Sequence, residues 1–226
     1  MTTTEAIPVH LYFLLDRTGS MMPIRGDVIG GFNTFLADQK AKPGECVMTM
    51  VQFDSGGPFD VICEAVPLDQ VAELTTATYT PRGMTPLLDA EGRTMAMAEE
   101  RAAKRAAAGE PAEAVVFATY TDGLENASRE WTFEALAAKK KEHESDWAFL
   151  YLGAGHDAYS QSQHMGTRVV NTSSVPRDAA GTQAVYDFYV GEVENVRSRA
   201  AGGATTGSHQ TRASRAGSDD SGEQAN

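Results

Sequence analysis

Residues 9–20 read VHLYFLLDRTGS, and this stretch decides the fold. Val9 to Leu15 is a short apolar run without the polar alternation of a half-exposed strand. Both of its faces are suited to burial, as in a central strand covered by helices on either side of a sheet. The run stops abruptly at Asp16, and Asp16-Arg17-Thr18-Gly19-Ser20 reads as a polar turn. Beyond the turn, Ile24, Val28, Ile29, Phe32, Phe35 and Leu36 recur at helical spacing along one stripe. The unit is therefore strand, loop, helix, with the loop at the carboxyl end of the strand.

The same reading extends along the chain. Val47 to Phe53 is a second strand, Asp54-Ser55-Gly56-Gly57-Pro58 a turn cluster, and Phe59 to Val66 a returning strand. So short a connection makes an antiparallel hairpin and not a crossover. Pro86 to about Ala108 is Ala-rich with interspersed charge, a helix with Pro in its first turn. Ala114 to Thr121 (AVVFATYT) is another buried-type strand, and a helix is expected from Trp131 to about Lys141. Trp147 to Leu152 is a further strand, His156 to Met165 a short helix, Thr167 to Asn171 a short last strand, and Asp178 to about Arg199 a closing helix. Strands alternating with helices predict an α/β fold: a doubly wound, Rossmann-like, mostly parallel sheet with one antiparallel edge hairpin and helices on both faces.

The 226 residues suit one such domain, and 42% hydrophobic residues are enough for a sizeable core. Residues 1–8 read as a leader, 9–199 as the domain and 200–226 as a tail. The 30 residues after Val196 contain no Val, Ile, Leu, Met, Phe, Tyr, Trp or Cys. Such a segment buries too little surface to offset its ordering entropy, so the tail is expected to be disordered. A net charge of −12 disfavours sequence-independent binding to nucleic acid or anionic lipid, which needs basic clusters. No apolar run approaches the ~18 residues of a membrane helix. Met1 to Pro8 lacks the pattern of a signal peptide. With only Cys46 and Cys63, both read as reduced and buried, the expected compartment is the cytoplasm.

Chemistry concentrates at three loops on the carboxyl side of the sheet, where doubly wound folds bind ligands. The first strand ends in Asp16-Arg17-Thr18-Gly19-Ser20. The segment before the second long helix reads Gly83-Met84-Thr85-Pro86, and the strand at 114–121 runs into Thr121-Asp122-Gly123. Asp16 and Asp122 offer carboxylates, and Thr18, Ser20 and Thr85 offer hydroxyls. Hard oxygen donors of this kind suit Mg²⁺, Mn²⁺ or Ca²⁺ in preference to zinc or copper. With only two carboxylates, Mg²⁺ keeps exchangeable water positions.

These three strings, D-R-T-G-S, G-M-T-P and T-D-G, resemble the von Willebrand factor type A family over roughly Val9 to Val196. The family pattern is D-x-[ST]-x-S, then a Thr in a G-x-T-P-like loop, then an Asp in T-D-G. The resemblance implies a metal ion-dependent adhesion site made of Asp16, Thr18, Ser20, Thr85 and Asp122. It also implies a partner protein whose Asp or Glu completes the coordination. The run Thr121 to Ser128 looks most like microbial, intracellular members. An alternative is a haloacid dehalogenase-like phosphotransferase or phosphatase, whose D-K-T-G-T loop is similar to Asp16–Ser20 and would make Asp16 a nucleophile beside Mg²⁺. That family needs a paired acid in its last metal loop, whereas Gly123 and Leu124 follow Asp122 here. A third reading keeps the metal as a tie between loops.

Other polar residues carry blander expectations. Arg17 is expected to be solvated and Asp54 and Ser55 to belong to a hairpin turn, while Glu125 and Asn126 are read equally as tuning the metal or contacting the partner and as capping a helix. Asn33 and Thr34, which interrupt an apolar helix, are expected to offer a buried hydrogen bond to a loop, and Lys139 to Lys141 to form a solvated helix end. His156, Asp157 and His164 form the densest histidine group, without metal-ligand spacing. No Walker loop, G-x-S-x-G or H-E-x-x-H string is present.

Overall fold

The apolar run at the start of the chain becomes strand β1 (Val9–Asp16), and each of its eight residues is buried. The computed structural model describes residues 7–154, 161, 164–167, 172–175 and 178–201. A 3-10 turn over Gly19–Ile24 leads into α1 (Arg25–Ala41), so the helix starts later than the apolar stripe suggests, after Pro23. Strands β2 (Cys46–Asp54) and β3 (Gly57–Pro67) follow, then α2 (Leu87–Ala108), β4 (Ala114–Thr121), α3 (Phe133–Glu142), β5 (Trp147–Ala154), β6 (Thr172–Val175) and α4 (Ala179–Ala201). Two ends show why these elements stop and start where they do. Gly109, at φ 70°, closes α2 in the left-handed region. The Thr132 hydroxyl accepts the Ala135 N–H at the start of α3.

The sheet order is β3-β2-β1-β4-β5-β6. Every neighbouring pair is parallel except the β2–β3 hairpin. Side chains of β1 alternate between two cores. Leu11, Phe13 and Leu15 face one cluster with Phe32 and Phe35 of α1 and Tyr186 and Tyr189 of α4. Tyr12 and Leu14 face the other, with Leu88 and Met95 of α2 and Leu136 of α3. Two-sided burial is thus the cause of the unalternating apolar run. His10, buried on the same strand, places its ring nitrogens 2.8 Å from the Thr49 hydroxyl and 3.2 Å from Glu113. No helix among the described residues is long and apolar enough to cross a membrane.

The chain reverses direction across the sheet between β1 and β4. This is the switch point at which parallel sheets open a crevice beyond their carboxyl ends. Leu15 pairs with Tyr120, so Asp16 ends its strand beside Thr121 and Asp122.

The last described strand lies at Thr172–Val175, just beyond the expected 167–171, in parallel register with Tyr151–Ala154. Thr-Ser-Ser-Val is an edge segment held by backbone pairing to one neighbour, so no apolar run marks it. Residues 168–171, most of the helix expected over 156–165 and the tail after 201 lie outside the described residues.

The α1–α4 contact makes a sharp prediction. A Cβ on Gly31 would meet the Tyr186 ring at 2.2 Å, whereas one on Gly30 would meet nothing within 4 Å. Tyr186 is fully buried and its hydroxyl donates to the Val28 carbonyl at 3.2 Å, so it has little freedom to yield. Gly31→Ala should cost about 1–3 kcal/mol through overpacking. Gly30→Ala should stabilise by roughly 0.5–1 kcal/mol through helix propensity. Urea unfolding of the two variants checks this, and equal effects would refute the packing argument.

Candidate metal centre

Asp16 sits at the end of β1 with its side chain fully buried. Its Oδ1 accepts the Thr18 N–H at 2.6 Å and its Oδ2 accepts the Thr121 hydroxyl at 2.5 Å. The Tyr79 hydroxyl donates to the Asp16 carbonyl at 2.7 Å and anchors the strand end. The Thr18 and Ser20 hydroxyls lie 3.1 Å apart. The Ser20 hydroxyl donates to Asp122 Oδ1 at 2.6 Å, which joins the first loop to the third. Thr85 is held by its backbone: its N–H donates to Asn126 Oδ1 at 2.8 Å, and its carbonyl accepts the Asn126 N–H at 3.1 Å.

Gly123 shows how closely these groups converge. A Cβ at that position would lie 2.9 Å from Thr85 Oγ1, 3.5 Å from Ser20 Oγ and 3.6 Å from Asp16 Oδ2. Oxygens from two of the three loops thus surround one point beside the third, and Ser20 bonds to Asp122 there. All five sequence-predicted residues are therefore brought together. Asp16, Thr18, Thr85 and Asp122 are buried, and Ser20 is exposed and opens the group to solvent. A side chain at 123 would fill the space, which accounts for glycine in the third loop.

The electrostatics of the group are governed by its burial. Burial above all pushes the Asp16 carboxyl up to about 7; hydrogen bonds from Thr121 and Thr18 oppose this, and the nearby Asp122 adds to it. Two carboxylates gathered with three hydroxyls in a buried cradle match the donor set of a hard divalent cation. Among the described residues, Glu99, Glu142 and His143 also bring ligand atoms within 4.8 Å of one another. There the Lys139 ammonium already lies 2.6 Å from Glu99 and 3.3 Å from Glu142.

The surroundings correct several expectations. Arg17 is not solvated: it is buried, and its guanidinium donates to Asp54 at 2.8 Å, Asp60 at 3.0 Å and Gln52 at 3.3 Å. These bonds tie the first loop to the hairpin. Asp54 does more than form a turn. Burial pushes its carboxyl up, but hydrogen bonds from Arg17, Gly56 and Arg82 outweigh this and hold it below the usual carboxylate range. Glu125 receives the Leu88 N–H at 2.9 Å, so it caps α2 from the third loop. Asn33 does bond a loop, accepting from Leu74 N–H at 2.8 Å and donating to its carbonyl at 2.9 Å, whereas the Thr34 hydroxyl donates to the Gly30 carbonyl of its own helix at 3.0 Å. Cys46 is buried, but Cys63, on the edge strand, is only half-buried; both are free thiols.

Sequence reasoning did not single out Thr121, Tyr79 or Gln161. Thr121 stood within the T-D-G string, where only the Asp was assigned a role. Gln161 accepts the Glu125 N–H at 2.6 Å and donates to the Tyr151 hydroxyl at 2.8 Å, a bracing contact that no local pattern marks.

No family profile and no curated protein matches this chain. Solved structures do. Proximal thread matrix protein 1 of the mussel byssus, with a zinc-occupied MIDAS motif, is similar at a TM-score of 0.57 and 11% identity, over 82% of this chain and 48% of that one. The chain therefore spans about half the length of that protein. A manganese-loaded TRAP protein of Plasmodium vivax is similar at 0.54 and 16% identity, over 80% and 73% of the two chains. A von Willebrand factor type A protein of Catenulispora acidiphila is similar at 0.50 and 13% identity, over 86% and 42%. With its strand order, its single antiparallel pair and helices on both faces of the sheet, this chain has the von Willebrand factor type A fold.

Proposed function

We propose that this chain is a metal-dependent protein-binding module. In this reading Asp16, Thr18, Ser20, Thr85 and Asp122 hold one divalent cation, Mg²⁺ by preference with Mn²⁺ or Ca²⁺ as substitutes. A partner protein presents an Asp or Glu to it. When bound, the cation supplies an electrophilic position where a carboxylate oxygen can replace water. The observation that carries this reading is the gathering of oxygens from two loops around Gly123 of the third, with Ser20 bonded to Asp122 there. The metal-occupied sites of the mussel and Plasmodium proteins support it.

The chain's own residues divide the work. Asp16 and Asp122 bring negative charge, with Asp16 fixed by Thr18 and Thr121. Thr18, Ser20 and Thr85 bring neutral oxygens, so the charge of a divalent ion is not swamped. Ser20, exposed, lies on the side from which a partner would approach. Both oxygens of Asp16 are engaged and its side chain is buried, which suits a fixed ligand and speaks against in-line attack on a phosphate. The free thiols Cys46 and Cys63 are in keeping with a reducing compartment, the cytoplasm.

Mn²⁺ titration followed by electron paramagnetic resonance tests the site. Wild type should bind one ion. Asp122→Ala should weaken binding by more than the roughly 10–100-fold typical of an outer-shell change, because it removes a charged ligand. Ser20→Ala should weaken it less. Wild type that binds no Mn²⁺, or binds it as well without the Asp122 carboxylate, would end the proposal.

A further inference from the structure

Among the described residues, five large apolar side chains are exposed: Met22 (47%), Val61 (40%), Ile62 (46%), Met84 (51%) and Leu124 (46%). Val61 and Ile62 lie on the edge strand β3, and nothing in the structure shows what would cover them. The other three share a different location. Met22 is two residues beyond Ser20, Met84 immediately precedes Thr85, and Leu124 is two residues beyond Asp122. Each of the three loops that meet at the candidate metal centre thus carries one exposed apolar side chain. Steps of about 3.8 Å between consecutive Cα atoms keep each within roughly 8 Å of a site residue's backbone.

A single exposed methionine needs no explanation, but an apolar set around one polar centre marks a contact surface. The platform beneath it is tied together. The Gly19 N–H donates to the Gly83 carbonyl at 3.1 Å, the Ser55 N–H to the Met84 carbonyl at 2.9 Å, and the Asn126 N–H to the Thr85 carbonyl at 3.1 Å. The backbone that displays these apolar groups is thus fixed before a partner arrives.

We infer that Met22, Met84 and Leu124 form an apolar collar, which selects a partner segment bearing one Asp or Glu flanked within two positions by large apolar side chains. The inference rests on the metal-dependent reading above. Charge argues for this occupant over an acid-rich one. The chain carries a net −12, so a partner with many acids is repelled at long range. Recognition beyond a single carboxylate must then come from a force indifferent to charge, and buried apolar area supplies it. The same balance makes binding only weakly dependent on ionic strength.

The probe is a displayed library of short random peptides with Asp fixed at the centre, selected on wild type in Mg²⁺, with an Asn-centred library and an EDTA arm as controls. The expected result is enrichment of Leu, Ile, Met, Phe or Trp beside the Asp, absent from both controls. Met22→Ser, Met84→Ser and Leu124→Ser should each weaken a selected peptide about tenfold, the effect of losing one well-buried apolar contact. Their Mn²⁺ affinity should be unchanged, since none supplies a ligand. Normal Mn²⁺ binding with acid-rich peptides, or with no neighbour preference, overturns the collar and leaves the metal site standing. Absent Mn²⁺ binding, or equal enrichment in EDTA, overturns the metal reading on which the collar rests.

Discussion

Asp16→Asn is expected to stabilise the metal-free protein at pH 8. Burial, above all, and then Asp122 hold the Asp16 carboxyl at about 7 in the folded chain, against 3.8 for an ordinary aspartate, despite hydrogen bonds from Thr121 and Thr18. Between those values the folded protein keeps a proton that the unfolded chain has released. Stability from this group therefore falls as pH rises from about 4 to 7 and levels off above 7. At about 1.4 kcal/mol per unit, the full loss is on the order of 4 kcal/mol. For a domain of this size that corresponds to roughly 10 °C in Tm. An Asn side chain has no charge to bury, and it can still accept from the Thr18 N–H while its amide faces the Thr121 hydroxyl. The difference in Tm between variant and wild type in EDTA should widen between pH 5 and pH 7 and stay level up to pH 9. Millimolar Mg²⁺ at pH 8 should raise the wild-type Tm and leave the variant unmoved, because the variant has lost a charged ligand. A variant that melts below wild type in EDTA at pH 8 contradicts this account. The expected stabilisation would mean that the destabilising charge is retained for the site and not for the fold.

The second large effect lies under the site. Lys140, on α3, is almost wholly buried, as is Glu91 on α2. The ammonium lies 2.6 Å from Glu91 Oε2, off the axis of a regular hydrogen bond, and donates to the Thr167 hydroxyl at 3.0 Å. The Thr119 hydroxyl of β4 donates to Glu91 Oε1 at 2.8 Å. The pair therefore ties α2, whose first turn follows Thr85, to the strand that leads to Asp122. Lys140→Met should cost about 3–5 kcal/mol, because it leaves a buried carboxylate with only one hydroxyl donor. Lys140→Met combined with Glu91→Leu should recover most of that loss, since burying two apolar groups avoids the desolvation of two charges. A double-mutant cycle by urea unfolding checks both. A single substitution costing under about 1 kcal/mol would mean that water already screens the pair.

Much of this structure could be read directly from the residues. The unbroken apolar run of β1, with Phe13 and Tyr12 on opposite faces, predicts two-sided burial because strand side chains alternate with a period of two. The short Asp54–Pro58 connection predicts the hairpin, because a parallel pair needs a long crossover. The strand-end position of Asp16, and of Asp122 just beyond β4, predicts their meeting once the sheet is doubly wound, because parallel strands carry their carboxyl ends to the same edge.

Tertiary structure decided the fate of the charges between those elements. Arg17 and Lys140 each sit in a polar local string, Asp-Arg-Thr-Gly-Ser and Lys-Lys-Lys-Glu, where solvation is the natural reading. Arg17 is buried because Asp54 and Asp60 arrive from the hairpin, and Lys140 because Glu91 arrives from α2. A charge leaves water only when its partner is in place, and those partners lie 37, 43 and 49 residues away along the chain. The raised pKa of Asp16 has the same origin, since burial comes from the packed sheet and not from its neighbours in sequence. Residue type and periodicity therefore determined the sheet and the oxygens at its edge. Burial and ion pairing, which depend on contacts between distant segments, were decided only by the folded chain.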